Sequence, residues 1–256
     1  LMMKIKKNKK KLIIGDILFS LIFLFFYFSY SFSSENDSSR FLLNYPDIED
    51  SDGEVVYEND LVILQKLIVG PVEWEGIHSH PGNQIYVHIK GGYWSGMLGG
   101  KFEYQHEYSA DGSVGWMDQI PIEAEHNSGN TGDNPIELIY VTLKNEKPIS
   151  KKYNNNHQLY PNVDLELLLN NHRFIVQKVI LKPGQWEGTH RNQKNQIWIM
   201  IKGGIISAKK NGQFEYQKKE ILSGAVGWVE SNETGSWYEK GNEGDEEIEY
   251  ILVTLK

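Results

Sequence analysis

The chain repeats itself, and that repeat limits its fold more than any other feature. Residues 61–144 match residues 173–256 at a constant offset of 112, without a gap. QKLIVGPVEWEGIH pairs with QKVILKPGQWEGTH, NQIYVHIKGG with NQIWIMIKGG, and IELIYVTLK with IEYILVTLK. A period of this length marks a duplicated domain, not a solenoid unit. Within each copy, short β-branched and aromatic runs such as LVILQKLIV and QIYVHIK are separated by Gly, Asn, Asp or Pro, which is the pattern of strands and turns. The expected fold class is all-β, with two tandem antiparallel barrels of jelly-roll type that close most sheet edges. Tyr45-Pro46 answers Tyr160-Pro161, so the units are expected at 45–146 and 160–256, with the polar, aperiodic 147–159 as their linker.

The N-terminus is built from different material. Lys4, Lys6, Lys7, Lys9, Lys10 and Lys11 precede LIIGDILFSLIFLFFYFSYSFSS, where Asp16 is the only charge. A cationic start, an apolar run and then small residues read as a secretory signal over 1–33, cleaved near Ser31 to Ser34, with 34–44 a short linker. The alternative is an uncleaved N-terminal anchor. A periplasmic or secreted protein is therefore expected, with no stable membrane insertion once the signal is cleaved. Removing 1–33 takes the formal net charge from −8 to −13. That acidity argues against a nucleic-acid partner, which needs a concentrated basic surface. With no cysteine in the chain, disulfides and thiolate metal sites are excluded.

Chemistry concentrates in Trp74 to Gly92, WEGIHSHPGNQIYVHIKGG. Alternate strand residues share a face, so His78 and His80 point the same way and form half of a transition-metal site. The third ligand must come from elsewhere, and His126, in GWMDQIPIEAEHNSGNTGDNP, is the best candidate.

Gly76, His78, His80, Gln84 and Gly91 resemble the first cupin motif, and Gly115, Pro121, His126 and Asn130 resemble the second, at the family's spacings. Two departures stand out: Gln84 occupies the place of the usual metal-binding glutamate, and Glu123 that of a glycine. The resemblance implies a bicupin with candidate metal ligands His78, His80, Gln84 and His126. Gln84 acts either directly, through its amide oxygen, or by hydrogen bonding to a bound water or ligand. The chain ending and the NTGD turn are also similar to small cupins of the quercetin-dioxygenase-like and β-alanine-degradation types.

The duplication supplies an internal control. At the offset of 112, His78 becomes His190, but His80 becomes Asn192, Gln84 becomes Gln196 and His126 becomes Tyr238. One imidazole with two amides is a poor transition-metal set, so the second copy is expected to be metal-free. Tyr86 and His88 share the inward parity of Gln84 and are the substrate-pocket candidates; their counterparts Trp198 and Met200 are space-fillers. Glu73, Glu75, Glu123 and Glu125 are expected to be solvated, although Glu75 recurs as Glu187. Gly99-Gly100 reads as hairpin chemistry.

Three neutral imidazoles leave the charge of a divalent ion uncompensated, which favours an anionic or chelating small-molecule substrate. Three-histidine iron centres of the kind the resemblance implies occur in dioxygenase-like cupins. The expected cofactor is one divalent ion, iron first, with manganese, nickel or zinc as alternatives. The expected activity is dioxygenase-like, with a lyase or isomerase next, and a homo-oligomer is allowed. The competing expectation is a non-catalytic periplasmic cupin that binds a small molecule.

Overall fold

In the computed structural model the repeat becomes two copies of one strand plan. The structure describes residues 38–48, 53–145, 160–192, 194–231 and 235–256; the signal segment, residues 34–37 and the 147–159 linker lie outside these. In the first copy the strands are β1 (Glu54–Glu58), β2 (Val62–Val69), β3 (Gln84–Lys90), β4 (Gly92–Leu98), β5 (Lys101–Ser109), β6 (Val114–Met117), β7 (Asn127–Asn130) and β8 (Ile136–Leu143). The second copy repeats them as β9 (Leu165–Asn170), β10 (Phe174–Leu181), β11 (Gln196–Lys202), β12 (Gly204–Lys210), β13 (Gln213–Ile221), β14 (Val226–Val229), β15 (Tyr238–Asn242) and β16 (Ile248–Leu255).

Each copy has a five-stranded antiparallel sheet facing a three-stranded one. The orders are β1-β2-β8-β3-β6 with β5-β4-β7, and β9-β10-β16-β11-β14 with β13-β12-β15. Register repeats too: Gln84 pairs with Thr142 as Gln196 pairs with Thr254. No α-helix occurs among the described residues. The fold is all-β, two tandem jelly-roll barrels.

Strand parity explains why QIYVHIK and IELIYVTL are buried almost throughout. Leu138 and Tyr140 on β8 turn into their own barrel, joined there by Leu67, Val69 and Trp94. The alternate residues Ile85, Val87, Ile139 and Val141 turn outward, and pack against Phe174, Val176, Ile197, Ile199, Ile251 and Val253 of the other copy. The two five-stranded sheets thus bury their outer faces against each other. A strand buried on both sides has no polar face and loses its alternation. Burying each such side chain is worth about 1.5–3 kcal/mol, so the barrels are stabilised as a pair.

Two glycines have specific steric reasons. A Cβ at Gly115 would lie 2.2 Å from the Tyr86 ring, and one at Gly227 would lie 2.3 Å from Trp198; each barrel lays an aromatic side chain across this position. Gly76 and Gly188 take φ of +83° and +81°, a region open to glycine, and both lie just ahead of the histidine segment. At the start of the barrel, Leu43 falls within the expected 34–44 linker, yet it is buried and hydrogen-bonded in both directions to the Gln65 side chain.

Candidate metal centre

His78 and His80 lie on a short bridging segment between β2 and β3, and His126 lies just ahead of β7. Antiparallel bridges join His78 to His126 and His80 to Ile120, so the third imidazole, remote in sequence, is brought in by backbone pairing. The His126 ring stands edge to face with His78 and His80, at centroid distances of 5.0 and 4.9 Å, and the His78 and His80 rings are tilted at 4.8 Å. One ring nitrogen from each falls within 4.8 Å of the others. Each residue is at most 4% exposed.

The hydrogen bonds fix the tautomers of two of them. Nδ1 of His78 donates to the Gly76 carbonyl at 2.9 Å. Nδ1 of His80 donates to Oε1 of Gln84 at 2.8 Å, while Nε2 of Gln84 donates to Thr142 Oγ1 at 2.7 Å. With both Nδ1 protons engaged, the Nε2 atoms of His78 and His80 present lone pairs to each other 3.1 Å apart. Two facing lone pairs repel unless a cation sits between them. Burial lowers the pKa of His78 to about 4 and of His80 to about 3, and lowers that of His126. All three are therefore in the neutral, ligating form at ordinary pH. The donor set fits a divalent transition ion.

Gln84 is buried beside His80. Its amide oxygen faces the distal nitrogen of His80, away from the converging nitrogens, and its amide is anchored on β8. The amide is thereby placed to set the orientation of the His80 ring.

Glu75, unlike the solvated residue that its sequence position suggests, is fully buried, with Oε2 3.5 Å from Nε2 of His78 and accepting a 2.5 Å hydrogen bond from Ser128. Burial pushes its carboxyl up to about 8. Strict alternation from His78 would turn Glu75 to the opposite face. The left-handed backbone at Gly76 breaks that alternation, and the recurrence of Glu75 as Glu187 was the available clue.

A cavity of about 340 Å³ lies over His80 and His126, within the range of small-molecule sites. Tyr86, His88, Trp94, Tyr104, Trp116 and Tyr140 give it aromatic walls. His88 is 2% exposed, its Nδ1 has no hydrogen-bond partner, and burial lowers its pKa to about 4.

The second barrel keeps the frame without the site. His190 pairs with Tyr238 as His78 pairs with His126, and Nδ1 of His190 donates to the Gly188 carbonyl at 3.0 Å. Trp198, Met200, Tyr216, Lys240 and Tyr250 reduce its cavity to about 10 Å³. Among the described residues, the first-copy trio is the only cluster of three or more potential metal-ligating His, Cys, Asp or Glu side chains.

No family model matches the sequence, and no curated protein matches it in sequence. Solved structures do. AerE from Microcystis aeruginosa superimposes with a TM-score of 0.60 at 14% identity, covering 85% of this chain and 99% of its own. Salicylate 1,2-dioxygenase from Pseudaminobacter salicylatoxidans gives 0.52 at 12% identity, covering 77% of this chain and 72% of its own. The chain has the bicupin fold. A cupin 2 conserved barrel domain protein from Leptotrichia buccalis also matches, at 13% identity and a TM-score of 0.48, over 82% of this chain and 92% of its own. At these identities the likeness is one of fold. Among the described residues, the cluster of three side chains that could hold a metal ion lies in the N-terminal barrel.

Proposed function

We propose that this bicupin is a metal-dependent enzyme with a single centre, in which His78, His80 and His126 hold one divalent ion and Gln84 orients His80. Dioxygenase chemistry on a small chelating substrate is the preferred reading. The observation that carries it is the clustering of three buried, neutral imidazoles, two of which, His80 and His126, line an aromatic-walled cavity of about 340 Å³. Salicylate 1,2-dioxygenase, in a form holding gentisate, shares the fold at a TM-score of 0.51 and 11% identity, which supports the reaction class by analogy of fold.

A bound ion would act as a Lewis acid and orient substrate oxygens. The chain itself does the rest. Burial keeps the imidazoles unprotonated, Tyr86, Trp94 and Trp116 exclude water beside the centre, and the hydroxyl of Tyr104, which accepts from Trp94 Nε1 at 2.8 Å, is placed to meet a polar group of the substrate. Iron is the proposed ion. Export, read from the lysine cluster and the apolar run behind it, is part of the same proposal.

The test is metal analysis of purified protein, followed by oxygen uptake by the iron-loaded form with a panel of hydroxylated aromatic acids. Uptake that disappears in His126→Ala supports the reading. A bound ion with tight ligand binding but no turnover would instead make the protein a binding module.

A further inference from the structure

Both barrels bury a glutamate at the same place in the repeat, Glu75 and Glu187, each with no exposed surface. A carboxylate removed from water is costly unless a cation shares its environment. The two copies differ in what lies beside it. At the repeat position after the bridge, the first copy has Ser128 and the second has Lys240. The Ser128 hydroxyl donates to Glu75, which satisfies one lone pair and supplies no charge. Glu75 Oε2 lies 3.5 Å from Nε2 of His78, and Glu187 Oε2 lies 4.0 Å from Nδ1 of His190, so the histidine contact is common to both copies.

In the second copy, the backbone N–H of Lys240 donates to Oε2 of Glu187 at 3.1 Å, and Tyr250 donates to Oε1. The Lys240 side chain lines the small remaining cavity, with its ammonium 5.3 Å from the Trp198 ring and 5.6 Å from the Tyr250 ring. The copy that has lost two imidazoles therefore carries a cation on its own chain, inside the barrel. In the copy that keeps three imidazoles, the matching position is the uncharged Ser128.

We propose that Glu75 is the anionic member of the metal centre, balancing the charge of the ion held by His78, His80 and His126, and that Lys240 replaces that ion as the counter-charge of Glu187 in the second barrel. This rests on the metal reading above. It assigns Glu75 a positioning and electrostatic role through the ion, and it gives the second barrel a reason to be stable without metal.

The test titrates Co²⁺ into metal-free full-length protein, followed by visible absorption, together with thermal melting. The wild type is expected to take up one ion. Glu75→Gln, nearly isosteric, is expected to bind at least tenfold more weakly, while its metal-free form melts no lower than the wild type. A merely structural role would instead lower the melting temperature. Ser128→Lys is expected to abolish Co²⁺ uptake yet leave a folded protein, because the ammonium fills the place of the ion. Lys240→Met is expected to lower the melting temperature, and Lys240→Met with Glu187→Gln to recover it. Wild-type uptake with unchanged affinity in Glu75→Gln would overturn the proposal and leave the metal reading standing. No uptake by the wild type would overturn both.

Discussion

The backbone N–H of His78 donates to the carbonyl of His126 at 3.0 Å, and His190 and Tyr238 repeat this bridge at 2.9 Å in the other barrel. The frame is thus independent of the side chain at its second position. His126→Ala is expected to lose metal binding and keep a folded β protein. His126→Tyr, which imports the second copy's own residue, is expected to do the same. Retention of wild-type metal affinity in His126→Ala would remove the third ligand.

Gln84 reaches the centre through His80. Gln84→Ala is expected to weaken metal binding by about 10–100-fold, the range for an outer partner of a ligand. A loss as complete as that of His80→Ala would show that the amide binds the ion directly. Gln84→Glu should retain binding, since a carboxylate also accepts from His80 Nδ1.

One ion per chain is the expected stoichiometry, because among the described residues one barrel holds a trio of candidate ligands. An ion that binds only the folded state at a free concentration of 100 times its Kd adds about 2.7 kcal/mol of stability. Chelation should therefore lower the melting temperature, and elemental analysis checks the count. Two ions per chain would mean that the second barrel also binds metal.

His88 gives a pH test outside the ligand trio. Unfolded, it takes a proton near 6.5; folded, burial lowers that to about 4. Between these values the unfolded state binds more protons, so the contribution of His88 to stability falls as pH drops from 6.5 towards 4. His78 and His80 act in the same direction and Glu75, with its raised pKa, in the opposite one. Comparison with His88→Met, the residue of the second copy, isolates the effect. Moving from pH 6.5 to 4.5 should cost the metal-free wild type about 1–3 kcal/mol relative to the variant. Parallel stability curves would count against a buried neutral His88.

The barrels are expected to melt together, because their sheets share one apolar interface. Ile199→Ala, in the second copy, should cost about 2–5 kcal/mol and lower the unfolding temperature of the first barrel too. Hydrogen exchange on β3 checks this; protection there that ignores the mutation would uncouple the barrels.

Much of this was legible in the sequence. The gapless repeat and the β-branched runs set two copies of an all-β domain, because strand formation rests on local pattern and turn chemistry. Reading one copy against the other exposed which candidate ligands the second copy lacks, since that comparison needs only aligned residues. Tertiary structure decided what local alternation cannot carry. The positive φ of Gly76 carried Glu75 inward against the parity of its neighbours. The pairing of β3 with β8 placed Thr142 under Gln84 and fixed the amide on His80. The outward faces of β3 and β8 became a core only because the second barrel covers them. Each of these depends on a backbone reversal or on a contact between residues far apart in the chain, and a period-of-two pattern encodes neither.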